Sequence, residues 1–359
     1  MSQDTRGVLD LPRLERIRLS ATPRVQQALA HGMLFPNYAL LPPRTEIVFE
    51  GLDHLPDHPV VYAMNHTDRY NYWPFQYRLY RFQGRFTATW VKGKYYENPF
   101  VARFMELTNN IPTVSRGYLI SRDFLETLGR RPSEAEYTWL RRRVDRAAGV
   151  AGADAGVDGP REAGPAAATE PPEGVDRSAL EPIFRRPRDL LGRPFDPEQE
   201  SYEAAVDRLY RAMMKVFVRL NARALELGLD LLVFPQGTRS KRLSRGHGGI
   251  SQIALKFQRT IVPVGCSGSD RVYPGASPFA KGGRVVYRFG PPVTPEDMAP
   301  WWIDEDFEPF TVEAERRHQG RFQGLVDEVM ARIDALVDPP YRFAAGGESD
   351  GVRGTARFL

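Results

Sequence analysis

The sequence predicts an α/β fold, and three observations carry that expectation. Val60-Val61-Tyr62-Ala63-Met64 is a short apolar run that reads as a buried strand, and it gives way to the polar stretch Asn65-His66-Thr67-Asp68-Arg69-Tyr70-Asn71. From Glu200 to Leu227, Val206, Leu209, Tyr210, Met213, Phe217, Leu220 and Ala224 recur at three- and four-residue steps up to Gly228, which reads as a long amphipathic helix with a natural stop. That helix leads into a second apolar run, residues 229–234, to make an αβ unit, and Pro235-Gln236-Gly237-Thr238-Arg239-Ser240 follows it. Ligands of open α/β sheets bind beyond the carboxyl ends of the strands, so both polar stretches fall where chemistry is expected.

Composition bounds the answer further. The chain has 359 residues, and 42% hydrophobic with 11% aromatic content supplies a folded core and argues against global disorder. Its one cysteine, Cys266, permits no intrachain disulfide and has no neighbouring histidine to make it a nucleophile, which fits a reducing compartment. The six histidines show no ligand spacing, so no metal site is expected. No run approaches the ~20 apolar residues that span a bilayer, and the N-terminus lacks the apolar core of a signal peptide. The expectation is a cytoplasmic protein whose membrane contact is peripheral, at the inner face. The net charge of +4 conceals an asymmetry: residues 149–182 hold seven acidic and two basic residues, leaving +9 on the remainder. A basic folded body suits an anionic membrane surface or phosphate-bearing substrates. Nucleic acid is not expected as a partner, because the interleaved aromatic and basic residues near Tyr72 do not repeat across a sheet face.

Taken in order, residues 1–45 form an N-terminal helical segment in which Leu14, Ile17, Leu19, Val25, Leu29 and Leu34 alternate with arginines. Such a segment covers a sheet or lies on a membrane surface. Pro42-Pro43 ends it, and residues 46–51 are a strand and turn that feed the His66 strand. Residues 72–81 are aromatic and basic, suiting either an acyl groove with headgroup contacts or a buried aromatic helix. Residues 86–91 read as a strand with Lys92 just beyond, residues 100–107 as a helix, and 117–148 as charged helix. Residues 149–182 then take 19 of their 34 residues from Gly, Pro and Ala and include no aromatic, so a disordered insertion is expected. The α/β domain is thus expected over 46–148 and 183–340. Beyond the αβ unit, Lys241, Arg242, Arg245 and His247 make a basic loop suited to phosphate, unless it is simply solvated. A helix over 250–257, strands at 261–265 and 285–290, a closing helix over 311–337 and a flexible tail over 345–359 complete the chain.

Two motifs in sequence, NH-x4-N (Asn65 to Asn71) and FPQGTRS (Phe234 to Ser240), resemble the first and third signature blocks of the glycerolipid acyltransferases, the lysophosphatidic acid and glycerol-3-phosphate type, which usually read NH-x4-D and FPEGTRS. Asn110 to Arg116 is similar to that family's second block, and Ile261 to Gly265 to its fourth. The resemblance runs in order from about Ile47 to Pro292. It implies a single α/β domain with a mostly parallel sheet flanked by helices. It also implies transfer of a fatty acyl group from acyl-CoA or acyl carrier protein, as substrate rather than resident cofactor, to a lysophospholipid or glycerol-phosphate-like acceptor. Carried over by position, His66 is the general base and Asn71 the residue that orients it. Arg116 and Arg239 hold acceptor phosphate, with Lys241 and Arg242 as weaker ligands. Phe234, Pro235, Gln236 and Ser240 belong to the same substrate-binding block, where Gly237 permits close backbone approach and Thr238 donates a hydrogen bond.

From the residues alone, His66 is either a base or a histidine bonded in a turn. Carboxamides at Asn71 and Gln236 replace two carboxylates of the usual motifs. Either Asp68 supplies the missing carboxylate, or Asn71 orients the ring adequately, or the protein binds lipid or acyl-CoA without turnover.

Overall fold

The computed structural model describes residues 7–150 and 173–343. Its strands are β1 (Thr45–Glu50), β2 (Val61–Met64), β3 (Thr87–Lys92), β4 (Asn110–Thr113), β5 (Arg188–Leu190), β6 (Arg193–Phe195), β7 (Asp230–Val233), β8 (Ile261–Ser267) and β9 (Gly283–Phe289). The helices up to the insertion are α1 (Leu11–Arg16), α2 (Arg24–Leu29), α3 (Tyr72–Gln83), α4 (Pro99–Leu107), α5 (Arg116–Leu128) and α6 (Glu134–Ala147). After it come α7 (Glu181–Arg185), α8 (Tyr202–Glu226), α9 (Gly249–Phe257), α10 (Ser269–Val272) and α11 (Val312–Leu336).

Seven strands form one sheet in the order β1-β9-β8-β2-β7-β3-β4, and β5 pairs with β6 as a separate hairpin. Neighbours in the large sheet run parallel except β8 and β9. The fold is therefore α/β, with a mostly parallel sheet flanked by helices. Successive side chains of the central strands serve opposite faces, so both faces are apolar and the strands read as continuous hydrophobic runs. Val61, Ala63, Leu231 and Val233 pack with the helices α5, α6, α8, α9 and α11. Tyr62, Met64, Leu232 and Val264 pack with α3 and the N-terminal helical segment on the other side. β7 sits between β2 and β3, held at its start by the buried Asp230, whose Oδ1 accepts from the Val60 N–H at 2.9 Å while Oδ2 accepts from Arg85 Nε at 2.8 Å.

The N-terminal segment takes the first of its two expected roles, because Leu11, Leu14 and Ile17 are buried in one core and Leu34 and Tyr38 in the other. α2 runs on through π-helical stretches at Ala30–Leu34 and Pro36–Leu40. Of residues 149–182, those from 151 to 172 lie outside the described residues, as does the tail expected over 345–359. The disorder expected over that segment does not extend through its described end. Leu180 is fully buried and leads into α7, because a few apolar residues at 175–183 reach the core despite a composition averaged with Gly, Pro and Ala.

Candidate active site

The carboxyl ends of β2, β7, β3 and β4 point the same way and open into one cleft of about 1000 Å³. β2 ends at Met64, and Asn65 turns back onto the sheet. Its Nδ2 donates to the Cys266 carbonyl at 2.9 Å and its Oδ1 accepts from the Cys266 N–H at 2.7 Å, so its amide continues the ladder to β8 where the backbone leaves it. His66 follows and lines the cleft, its ring stacked on Phe234 from the end of β7 with centroids 4.1 Å apart. Its backbone is tied to the β7 loop twice, through its N–H to Gln236 Oε1 at 3.2 Å and through its carbonyl to the Ser240 N–H at 2.9 Å.

The ring's tautomer follows from Asn71. Nδ2 of that buried residue donates to the Asn65 carbonyl at 2.8 Å, which turns its Oδ1 toward His66 Nδ1, 3.0 Å away. A carboxamide oxygen only accepts, so Nδ1 carries the proton and Nε2 keeps its lone pair. Tyr287 fixes the backbone of the same residue, its hydroxyl donating to the Asn71 carbonyl at 2.5 Å. The His66 pKa is lowered to about 3, first by burial, with the Asn71 hydrogen bond opposing and the nearby Arg239 and Lys92 adding to the lowering. Imidazole at this site is thus neutral throughout the physiological range. Because the unfolded chain takes up this proton near pH 6.5 and the folded chain only near 3, His66 contributes a loss of stability as pH falls through that window.

The Asp68 carboxylate is engaged away from the His66 ring, whose Nδ1 meets Asn71. In a tight turn a side chain two residues on caps its own backbone: Oδ1 of Asp68 accepts from the Tyr70 N–H at 2.8 Å and Oδ2 from Thr67 Oγ1 at 2.9 Å. Burial raises its pKa, and it does not line the cleft.

The β7 block divides by side. Phe234, Pro235, Gly237, Thr238 and Arg239 line the cleft, whereas Gln236 and Ser240 turn inward and hold the loop. Gln236 uses both ends of its amide, accepting from His66 and donating from Nε2 to the Arg242 carbonyl at 3.2 Å. Gly237 has φ +65, a conformation that favours glycine, and a Cβ there would press on the His247 ring at 3.0 Å. Lys241 and Arg242 do not line the cleft; Lys241 lies 3.9 Å from Asp270, and Arg242 donates to the Phe343 carbonyl at 3.4 Å.

Arg116 is also directed elsewhere. It is the first residue of α5 rather than a strand end, and it is buried with Nη2 2.7 Å from Asp207 Oδ1 on α8 and its guanidinium over the Tyr210 ring. It does not line the cleft. Arg116→Ala is expected to cost about 1–3 kcal/mol of stability, because it removes the buried partner of Asp207 and the stacking on Tyr210 and leaves that carboxylate to Arg211, 3.0 Å away, a loss that chemical denaturation measures. Arg239→Ala, at the cleft, is expected to leave stability within about 0.5 kcal/mol.

The cations that do gather beside Arg239 were not read from the sequence as ligands. Arg69 after β2, Lys92 at the end of β3 and Lys94 just beyond it line the same cleft. Burial, followed by Arg239, lowers the Lys94 pKa, and Arg69 adds to that lowering. Arg69 and Arg239 form no ion pair among the described residues. Away from this polar mouth the cleft runs inward between α8, α9 and α11 along Trp90, Met214, Phe217, Ile250 and Phe310. A neutral imidazole, a cationic mouth and an apolar arm thus share one space, which can hold an anionic headgroup, an apolar chain and a hydroxyl that loses its proton.

No protein-family model matches the chain, and no curated protein matches it. Among solved structures the chain is similar to the 1-acyl-sn-glycerophosphate (LPA) acyltransferase, PlsC, from Thermotoga maritima, at 14% identity and a TM-score of 0.37, over 90% of this chain and 80% of that one.

Proposed function

We propose that the protein is an acyltransferase that moves a fatty acyl group from acyl-CoA, or acyl carrier protein, to the hydroxyl of a lysophospholipid or glycerol-phosphate-like acceptor. His66 is its general base. Nε2 takes the hydroxyl proton as the oxygen attacks the thioester carbonyl; the tetrahedral intermediate expels the thiolate, which recovers a proton from the imidazolium. Asn71 orients the ring. Arg239, with Arg69, Lys92 and Lys94, holds the acceptor's phosphate, guanidinium by paired hydrogen bonds and ammonium as a point charge. The observation that carries this reading is the hydrogen bond from Nδ1 to Asn71 Oδ1, which leaves Nε2 as the free acceptor of a ring that lines the cleft.

A second reading, binding of lipid or acyl-CoA without turnover, draws on the same residue. Asn71 brings no negative charge to an imidazolium, and the His66 pKa of about 3 makes that cation costly. Purified protein incubated with labelled acyl-CoA and a panel of acceptors, lysophosphatidic acid first, separates the two: acylated product is expected, and binding without product across the panel selects the second reading. If turnover occurs with a phosphodiester lysolipid, which lacks the ionisation at about pH 6 of a phosphate monoester, kcat/KM is expected to show no step near pH 6.5, since His66 is deprotonated down to about pH 4. A fall with an apparent pKa close to 6.5 would contradict the buried, neutral base.

A further inference from the structure

α4 carries its apolar surface on the wrong side for a helix that serves only the core. Ala102 and Met105 face inward, while Phe100 is 87% exposed and Leu107 38%, with Arg103 between them in the same stripe. Phe100, Phe104 and Leu107 stand three and four residues apart and so share one face. The same helix walls the cleft, through Val101, Phe104 and Met105. A second exposed aromatic, Phe279 at 60%, sits on a loop held to the cleft's wall by the Tyr70 hydroxyl, which donates to the Ala276 carbonyl at 2.7 Å.

We propose that this rim, led by Phe100 and Leu107 of α4, docks the protein on an anionic lipid bilayer with the cleft opening toward it. Three features select that occupant. The apolar side chains protrude singly from a helix instead of lining a groove, as suits insertion between headgroups. Arg69 and Lys94 at the mouth match the sign of an anionic leaflet, whereas Arg103 on the ridge is offset by Glu106, 3.5 Å away. Finally, α4 is both outer ridge and inner wall, so an acyl chain passes from bilayer to cleft along one apolar helix without crossing water. That last feature rests on the acyltransferase reading; the first two do not. No described helix is long and apolar enough to cross a membrane, so such docking would be interfacial where the described residues are concerned.

The test is cosedimentation of the full chain with vesicles of phosphatidylcholine, with and without phosphatidylglycerol. Binding is expected only with the anionic lipid, and Phe100→Asp combined with Leu107→Asp is expected to weaken it at least ~10-fold, from the loss of two inserted apolar side chains. Both sites are exposed, so the fold is expected to survive; circular dichroism checks this, and a Phe100→Trp variant, whose added emission should shift to the blue on vesicles, gives an independent readout. Turnover of a short-chain, monodisperse acceptor should be unchanged in the double variant. Unchanged vesicle binding in that variant, or no emission shift, overturns the proposal. So does a lipid-free dimer that the double substitution turns into monomer, which would assign the face to a second copy. Vesicle binding without turnover of any acceptor removes the acyltransferase reading and leaves the docking face standing.

Discussion

His66→Ala is expected to lower kcat by roughly 10²–10⁴-fold, the range for removing a positioned general base, with acyl-CoA affinity changed little. The fold should hold, because the residue's links to the β7 loop run through its backbone to Gln236 and Ser240 and survive truncation of the ring. What is lost is the ring stacked on Phe234 and the Nε2 lone pair facing the cleft. Initial rates with saturating donor and acceptor, beside donor binding by calorimetry, make the comparison. A variant that turns over within threefold of the parent would remove His66 from the chemistry.

Asn71→Asp should move the reaction the other way. A carboxylate 3.0 Å from Nδ1 would stabilise the imidazolium, raising the His66 pKa from about 3 by more than one unit and lifting kcat about 10-fold or more. The direction inverts the loss of about 10⁴ seen when aspartate becomes asparagine in a Ser-His-Asp triad. The substitution also carries a cost in stability. Nδ2 of Asn71 donates to the Asn65 carbonyl, and a carboxylate oxygen there faces another acceptor, which is expected to cost about 1–3 kcal/mol. The pH dependence of kcat and a urea titration of the same protein test the two halves together. A faster enzyme with an unshifted acid limb would contradict the account; so would a slower enzyme of undiminished stability.

How much of this was legible in the sequence depends on the range of each interaction. The strands and long helices were, because their periodicity is local: the helices expected over 200–227 and 311–337 are observed at Tyr202–Glu226 and Val312–Leu336. His66 and Arg239 were placed correctly at strand ends, since a strand that gives way to polar residues announces its own edge. Arg116 was not, because what claims it is Asp207, brought in by a helix that begins 86 residues later. Lys92 and Lys94 show the converse: each follows an expected strand, but only the pairing of β3 beside β7 brings them to the Arg239 cleft. Collecting the first cations after every parallel strand, instead of those inside a motif, would have found them. The tautomer of His66 was out of reach of any sequence, since it rests on which end of one amide meets the Asn65 carbonyl.

The strand order has a further consequence, for the way the molecule is made. A ribosome delivers β2 and β3 early, yet they never touch; the slot between them stays vacant until residues 230–233 emerge. His66 therefore waits, without the aromatic ring beneath it, while nearly half of these 359 residues are made. Pairing so remote in the chain is slow, and the nascent N-terminal half meanwhile offers two bare strand edges to any chaperone or neighbouring chain.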